Sequence, residues 1–251
     1  MELVNGVEVI APLPVLYLRK YRALVFADTH LGYESEMASQ GIFIPRFQKK
    51  RLMSVLKRSF DLVDVDWVII AGDLKHKFDG LSRQERSEVR EVLEWLLGRV
   101  SRVDVVRGNH DNYLPLITKK LGIELVNELL IDDILIVHGH KKPTKDLSKI
   151  RLVIIGHEHP SIMLRERLGV VTKLPCFLLG EFMATGTKLV VLPAVGAYQT
   201  GSKVTTSPET YLSPILKEMV DLGRLKPFVY DEGIGVLEFP YLKDIEDIIY
   251  M

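Results

Sequence analysis

The sequence predicts an α/β protein in which a largely parallel sheet is accompanied by a second, mostly antiparallel sheet. Up to about residue 160, short apolar runs alternate with amphipathic segments, which is the pattern of βαβ units. Beyond residue 160, short segments of strand character are joined by glycine-rich turns. Because the 251 residues contain no linker, repeat or low-complexity tract, we expect a single domain covering residues 1–251.

The predicted elements follow in chain order. Pro12 and Pro14 interrupt the apolar runs of the first 20 residues, which suits a hairpin at a sheet edge. Apolar residues at a spacing of three and four predict helices at 45–63 and 83–98, with a shorter helix at 112–121. Strands are predicted at 23–27, 66–71, 103–106, 123–126, 134–137 and 151–155. Later elements are strands at 161–167, 169–174, 176–182, 187–192 and 234–239 and a helix at 210–222.

The composition is that of an ordinary globular protein. Hydrophobic residues make up 47%, and Lys+Arg and Asp+Glu number 33 each, so no net charge favours binding to nucleic acid or to anionic membranes. The single cysteine, Cys176, lies in an apolar run and is expected to be a buried, inert thiol. The sequence has no signal-peptide pattern and no apolar run long enough to cross a membrane. We therefore expect a cytoplasmic protein without a membrane partner.

Each of five predicted buried strands is followed by side chains that can bind metal ions. In open α/β sheets, ligands bind beyond the carboxyl ends of the strands, so these side chains are expected to meet at one rim. Of the seven histidines, six lie at these strand ends, and the seventh, His76, comes three residues after Asp73. The sequence therefore predicts one shared metal site from Asp28 and His30, Asp73, Asn109 and His110, His138 and His140, and His157 and His159.

The types of ligand indicate which metals the site would take. Aspartate, asparagine and histidine without cysteine suit Mn²⁺, Fe²⁺, Zn²⁺ or Co²⁺ better than a structural zinc held by thiolates. The set is too large for one tetrahedral ion, but a central carboxylate can bridge two ions about 3.5–4 Å apart. We expect two divalent ions, with Mn²⁺ first and Zn²⁺, Fe²⁺, Co²⁺ and Ni²⁺ as alternatives.

The order and spacing of these motifs resemble the calcineurin-like metallophosphoesterases. The matching motifs lie between residues 28 and 159: Asp28-x-His30, Gly72-Asp73, Gly108-Asn109-His110-Asp111, His138-Gly139-His140 and Gly156-His157-x-His159. The resemblance implies a four-layer α/β/β/α sandwich of two mixed sheets flanked by helices. It also implies a hydrolase that acts on phosphoester bonds.

The resemblance further implies a role for each residue. Asp28, His30 and His159 would hold the first metal, and Asn109, His138 and His157 the second, with Asp73 between them. His110 would act as general acid or stabilise charge on the leaving oxygen. Asp111 would orient His110, cap the helix at 112–121, or do both. Glu158, between two ligands of a strand end, is expected to point away from the metals and to tolerate substitution.

The segment Gly72-Asp73-Leu74-Lys75-His76 resembles a subfamily related to the repair nucleases of the Mre and SbcD type, whose members are encoded beside DNA ligases or helicases in some genomes. The resemblance implies a Mn²⁺-dependent DNA nuclease linked to repair, acting on single-stranded or flapped DNA, with a helicase or ligase as partner. One alternative is a phosphodiesterase or phosphatase for small molecules such as cyclic nucleotides. A non-catalytic scaffold on the same fold is a further alternative, although such scaffolds lose residues that this chain keeps.

Candidate substrate contacts surround the motifs. Lys75 and His76 either contact a substrate phosphate or hold their loop by local hydrogen bonds. His140 either faces the substrate or is a surface histidine. The basic run at 141–151, with Lys141 and Lys142 at its start, either guides a polyanion or is a solvated loop. The sequence near the motifs shows no aromatic ladder for stacking bases.

Overall fold

The computed structural model describes residues 1–165, 171–199, 201–231 and 233–245. Within these ranges, seven strands form the first sheet in the order β1-β2-β3-β4-β5-β6-β7. Their bounds are Glu2–Val4, Val7–Val9, Leu16–Leu18, Ala23–Phe26, Trp67–Ile70, Arg102–Val106 and Leu125–Val126. Strands β4 to β7 pair in parallel and β1 to β4 pair antiparallel, so this sheet is mixed.

The second sheet has nine strands in the described part of the chain. The strands β8 to β16 are Glu128–Ile131, Ile134–Val137, Leu152–Ile155, Pro160–Arg165, Val171–Glu181, Lys188–Val191, Ser202–Lys203, Lys226–Asp231 and Gly235–Glu238. The order is β14-β11-β12-β13-β10-β9-β8, with β15 on β12 and β16 on β15. Strand β10 runs parallel to β9 and β13, whereas most other pairs are antiparallel.

The helices in the described residues agree in position with the prediction, with one addition. Their bounds are α1, Tyr33–Ser39; α2, Gln48–Leu62; α3, Arg83–Leu97; α4, Pro115–Thr118; and α5, Pro214–Met219. The predicted loop before α2 in fact contains α1. Helix α3 begins at a capping box, because the Ser82 side chain accepts from Glu85 N–H and the Glu85 side chain accepts from Ser82 N–H. No helix in the described residues is long and apolar enough to cross a membrane.

Three apolar layers hold four layers of secondary structure together. Leu52 and Leu56 of α2 pack with α3 against one face of the first sheet. Ile215 and Leu216 of α5 pack against one face of the second sheet. The remaining faces of the two sheets pack against each other. The structure is therefore an α/β/β/α sandwich of two mixed sheets, as predicted.

The alternation of side chains along the strands explains how each strand serves two layers. In β4, Leu24 faces the helices and Val25 faces the second sheet. In β10, Val153 faces the α5 side and Ile154 faces the first sheet. Strands buried on both faces read as unbroken apolar runs, which is why these segments were recognisable in the sequence.

Two predictions about the strands were wrong in detail. The sequence placed the second sheet beyond residue 160, but that sheet already begins at Glu128 and includes β9 and β10. Most of the two segments predicted separately at 169–174 and 176–182 lies in one continuous strand, β12, Val171–Glu181. Strand β15 was not predicted. The segment 166–170, part of two predicted strands, lies outside the described residues.

The thiol of Cys176 is expected to react with a disulfide reagent only after the protein unfolds. Cys176 is fully buried in the layer between the second sheet and α5, and burial raises the pKa of its thiol. Titration with a chromogenic thiol reagent in buffer and in denaturant checks this expectation. Rapid reaction of the folded protein would contradict the burial of this strand.

Candidate metal centre

The carboxyl ends of strands from both sheets meet at one rim. Strands β4, β5 and β6 of the first sheet and β9 and β10 of the second all end there. Backbone hydrogen bonds tie the loops that follow them: Asp28 N donates to Gly72 O at 3.0 Å, and Gly156 N donates to His138 O at 3.0 Å. The two sheets, rather than one parallel sheet, therefore bring the five motifs together.

The backbone is left-handed at most of the predicted ligands. Seven non-glycine residues in the described part of the chain have positive φ, and five of them are predicted ligands. The values are 58° at Asp28, 44° at His30, 51° at Asp73, 69° at His157 and 47° at His159. Such backbone costs about 1–3 kcal/mol per residue and clusters at functional sites, where the surrounding structure holds it.

Two glycines allow the loops to approach one another closely. A Cβ atom on Gly108 would lie 2.0 Å from Asp73 Oδ1, and one on Gly156 would lie 2.8 Å from Asp28 Oδ2. Any larger residue at these positions would displace a carboxylate of the site. The glycines in these two motifs are thus required by the packing of the carboxylates.

Asp28, His30 and His159 form the first group of candidate ligands, with ligand atoms within 4.8 Å of one another. Asp28 Oδ2 accepts a hydrogen bond from His157 N–H at 2.9 Å. Its other oxygen, Oδ1, lies 3.3 Å from His159 Nε2. Asp28 therefore uses one oxygen to hold the loop of β10 and leaves the other for a ligand.

The second group consists of Asp73, His138 and His157, again with ligand atoms within 4.8 Å. His138 Nδ1 lies 3.0 Å from Ala71 O, so Nδ1 carries the proton and Nε2 is free to act as a ligand. His138 Nε2 lies 3.1 Å from Asn109 Oδ1 and 3.2 Å from Asp73 Oδ2. Asparagine, histidine and aspartate thus converge at this position.

Asp73 connects the two groups. Its Oδ1 accepts a hydrogen bond from His110 N–H at 3.0 Å, which fixes the carboxylate. Its Oδ2 faces His138 Nε2 of the second group and also lies 3.8 Å from His30 Nε2 of the first. One oxygen atom of Asp73 therefore lies between the two groups.

The electrostatics of the site follow from burial and from these contacts. Burial alone would raise the pKa of Asp73, but the surrounding imidazoles, His138 foremost, hold it well below its usual range. Burial would lower the pKa of His138, but the charge and hydrogen bond of Asp73 raise it to about 9. Burial lowers the pKa of His30 to about 3 and that of His157 to about 4, which keeps both rings in the neutral form that binds metals.

The sequence profile described as "Calcineurin-like phosphoesterase" matches residues 21–161, more than half of the chain. The chain belongs to the calcineurin-like phosphoesterase family. It is accordingly a metal-dependent phosphoesterase, a hydrolase that acts on phosphoester bonds, as the resemblance implied. Comparison with curated protein sequences gives no match.

Comparison with solved structures gives likenesses of different strength. The nuclease MPE of Pseudomonas putida has a TM-score of 0.60 and 22% sequence identity, over 90% of this chain and 93% of that chain. The phosphoesterase Yfce of E. coli has a TM-score of 0.37 and 15% identity, over 69% of this chain and 79% of that chain. The likeness to MPE confirms the predicted arrangement of two sheets and flanking helices.

The phosphoesterase site fits divalent metal ions by a test that is independent of the family. Among the described residues, Asp28 Oδ1, His30 Nε2 and His159 Nε2 are buried without a hydrogen-bond partner. These three atoms belong to the first group of candidate ligands. Buried polar atoms without partners are costly, so their convergence indicates that a cation completes the site.

Asp111 has a different environment from the one predicted. Its carboxylate is fully buried and accepts from the backbone N–H groups of Asp73 at 2.8 Å and Gly108 at 2.9 Å, with a longer contact to Lys75 N–H at 3.3 Å. The ring of His110 instead contacts His76 O through Nδ1. The prediction that Asp111 orients the ring or caps the following helix was therefore wrong. Asp111 joins the Asp73 loop to the Gly108 loop.

Burial contradicts the predicted phosphate contact of Lys75, whereas the phosphate contact of His76 stays a prediction. Lys75 is fully buried, and its ammonium group donates to Lys77 O, so the alternative of a loop held by local hydrogen bonds is correct. His76 Nδ1 lies 3.2 Å from His30 Nδ1. Burial lowers the pKa of His76 to about 4, so its neutral ring can accept from His30 and fix that ring's orientation.

Glu158 was expected to tolerate substitution, and this was wrong. The side chain is fully buried, and its carboxylate accepts from Leu212 N–H at 3.0 Å and Ser213 N–H at 2.9 Å. Because His157 and His159 have left-handed backbone, the alternation of an extended strand does not apply between them. Glu158 attaches the ligand loop to the segment that precedes α5.

Glu158→Ala is expected to lower the free energy of unfolding by about 2–4 kcal/mol, because two backbone N–H groups lose their acceptor. Urea denaturation followed by circular dichroism measures the change. The control is Glu181→Ala, which removes an exposed carboxylate paired with Lys188 and is expected to change stability by less than about 1 kcal/mol. Equal midpoints for the two variants would show that the 158–212 contact contributes nothing.

An aromatic row, which the sequence did not reveal, lies beside the ligands. It consists of Phe78, His110, His76, Tyr33 and Tyr198, in that order. Successive ring centroids are 5.9, 5.3, 4.7 and 5.4 Å apart, and the pairs His110–His76 and Tyr33–Tyr198 are stacked. The sequence near the motifs shows no aromatic ladder for stacking bases, and this row forms only in the fold. The position of Tyr33, three residues after His30, was the available signal, whereas nothing in the sequence connects Tyr198 to the motifs.

A cavity of about 630 Å³ adjoins the second group of ligands. Asn109 and His138 line it together with His140, Lys141 and Lys142, three of the predicted substrate contacts. Lys142 is paired with Glu218. Arg107 also lines the cavity and directly precedes the Gly108-Asn109-His110 motif, but it was not among the predicted site residues.

Proposed function

We propose that this phosphoesterase is a two-metal phosphodiesterase that cleaves DNA strands, with Mn²⁺ as the working ion. The observation that carries the proposal is the position of Asp73 Oδ2, 3.2 Å from His138 Nε2 and 3.8 Å from His30 Nε2. A carboxylate oxygen between two groups of ligands is the arrangement that a pair of bridged ions requires.

In this proposal, Asp28, His30 and His159 would hold the first ion, and Asn109, His138 and His157 would hold the second. Asp73, whose Oδ2 lies between the two sets, would serve both. When bound, the ions supply a water of lowered pKa as nucleophile and neutralise charge on the phosphoryl oxygens. The aspartates and histidines fix the ions, and the left-handed backbone at five of these residues fixes the ligands.

His110 supplies the proton in this proposal. Its Nδ1 is held by His76 O, so Nδ1 is protonated and Nε2 is the nitrogen that gains and loses a proton. Nε2 lies 4.0 Å from Asp73 Oδ2, at the edge of the two ligand groups. From there, Nε2–H donates to the oxygen that leaves phosphorus, and the His76 carbonyl keeps the ring from turning.

Two features support DNA as the substrate. The aromatic row ends beside the site in the exposed ring of Phe78, on which a base of a single strand can stack. The solved structure with a TM-score of 0.60 is that of a nuclease. On these two features we base the proposal that the protein is a repair nuclease for single-stranded or flapped DNA that works with a helicase or ligase.

A second candidate is a phosphodiesterase for small molecules. The cavity of about 630 Å³ favours it, because sites for small ligands span about 300–1,000 Å³. In that case a cyclic nucleotide or a similar diester would occupy the cavity, and the metal chemistry would be unchanged.

A matrix of metals and substrates tests the proposal. The metals are Mn²⁺, Zn²⁺, Mg²⁺ and Fe²⁺, and the substrates are single-stranded and flapped DNA, RNA, cyclic nucleotides and a chromogenic diester. We expect DNA cleavage that is highest with Mn²⁺. Cleavage of cyclic nucleotides without attack on DNA would favour the second candidate, and failure to cleave any diester would reject both.

Phe78→Ala is expected to raise KM for single-stranded DNA about 5-fold to 150-fold, because loss of one stacked base costs about 1–3 kcal/mol. Phe78 is 57% exposed and lies at the open end of the aromatic row. Steady-state cleavage of an oligonucleotide measures the change, and Phe78→Tyr is expected to restore KM. An unchanged KM for Phe78→Ala would show that Phe78 does not contribute to substrate binding.

A further inference from the structure

Basic side chains and candidate metal ligands line the same cavity beside the metal centre. Asn109 and His138, candidate ligands of the second ion, line it together with the acidic Glu128. Arg107, His140 and Lys141 line the same cavity. A ligand in this cavity would therefore contact cationic or hydrogen-bonding groups while an adjacent part of the same molecule lies at the metal centre.

Two polar nitrogens in this cavity lack partners. Arg107 Nε and His140 Nδ1 are buried and have no hydrogen-bond partner among the described residues. Other polar groups of the cavity are already engaged: Lys142 pairs with Glu218, and the Glu128 carboxylate accepts from Thr144 N–H and from its hydroxyl group. Leaving a buried donor unpaired is costly, so Arg107 Nε indicates a missing acceptor, and His140 Nδ1 is a second buried nitrogen that a ligand can pair with.

We propose that Arg107, His140 and Lys141 form a subsite for the phosphate next to the scissile one. This inference rests on the proposed phosphodiesterase function and deepens it, since it identifies the substrate as a polynucleotide strand rather than an isolated diester. The planar guanidinium of arginine suits a phosphate with several acceptor oxygens. The exposed ammonium of Lys141 adds charge at the mouth of the cavity. The subsite fixes the register of the strand, and the metal centre cuts one phosphate away.

Matched substrates test the subsite through cleavage. Thymidine dinucleotides with the same scissile diester are compared without and with an additional 5′- or 3′-terminal phosphate, beside a chromogenic diester. In the wild type, the additional phosphate at one end is expected to raise kcat/KM about 10-fold to 100-fold, as for a hydrogen bond to a charged group. Arg107→Gln is expected to lose this gain and to cleave the chromogenic diester within about twofold of the wild type.

Binding without metal provides a readout that does not depend on catalysis. The affinity of an oligothymidylate is measured in EDTA at several salt concentrations by fluorescence anisotropy. Each lost phosphate contact is expected to reduce the slope of log affinity against log salt by about 0.7 for a single strand. Arg107→Gln and Lys141→Gln are each expected to show this reduction. The control is Lys145→Gln, from the same basic run but outside the cavity lining, whose slope is expected to match the wild type.

The outcomes separate the subsite from the catalytic proposal. The subsite is overturned if an additional terminal phosphate does not raise kcat/KM of the wild type and if Arg107→Gln and Lys141→Gln both keep the wild-type salt slope. Equal affinity for thymidine monophosphate and for the oligothymidylate would overturn the strand as its occupant. If no diester is cleaved with any metal but the cavity variants lower the slope, the catalytic proposal fails and the subsite stands.

Discussion

Asp73→Asn is expected to lower kcat at least about 1,000-fold, a loss of about 4 kcal/mol of transition-state stabilisation. The substitution preserves the shape of the side chain and an oxygen that can accept from His110 N–H, a bond of 3.0 Å in the wild type. It removes the negative charge at the oxygen that lies between His138 and His30. Two cations can share this position because it carries a negative charge. Without that charge, both the metal content and kcat are expected to fall.

Two measurements make this expectation specific. Metal analysis of the purified protein is expected to give about two ions per chain for the wild type and one or none for Asp73→Asn. Asp79→Asn removes the same charge from an exposed position six residues along the chain and is expected to leave both quantities unchanged. If Asp73→Asn retained two ions and full turnover, Asp73 would not be the bridging residue.

The strand ends of the site were predictable because two signals coincide there. Strands such as β5 and β10 are buried on both faces and therefore read as apolar runs. Asp73 and His157 follow these runs within a few residues, next to glycines that packing requires. Local sequence thus located the ligands, and the tendency of α/β sheets to bind ligands beyond the carboxyl ends of their strands indicated that these ligands share one rim.

The partners of Asp111 and Glu158 were not predictable from local sequence. Asp111 is adjacent to His110 in the chain, but its carboxylate accepts from Asp73 and Gly108 N–H groups, whose positions depend on how two loops pack. Glu158 accepts from Leu212 N–H, 54 residues away in the sequence. In both cases a carboxylate satisfies backbone groups that only the folded loops bring near.

The division into sheets and the aromatic row were hidden for a similar reason. Strand β9 looks like β5 in the sequence, since both are short apolar runs, and neither run encodes which strands it pairs with. The stacking of Tyr33 on Tyr198 joins residues from opposite ends of the chain. Such contacts are set by topology, so a pattern within a window of residues cannot reveal them.

His110→Asn is expected to lower kcat for DNA about 100-fold to 10,000-fold while both metal ions stay bound, the usual size of a general-acid contribution. His110 Nδ1 contacts His76 O, and its backbone N–H donates to Asp73 Oδ1. Asparagine retains that backbone donor and offers a side-chain N–H to the carbonyl, but it has no group that can release a proton in place of Nε2. The metal centre is therefore expected to persist without its acid.

The dependence on the leaving group distinguishes loss of an acid from loss of structure. An alkoxide leaving from DNA needs a proton, whereas the phenolate of a chromogenic diester leaves with little assistance, so His110→Asn is expected to affect the chromogenic substrate about 10-fold less than DNA. A structural role would lower both rates equally. Metal analysis of the same preparations shows whether the ions remain. Equal losses on both substrates, or loss of an ion, would show that His110 positions the centre and does not donate the proton.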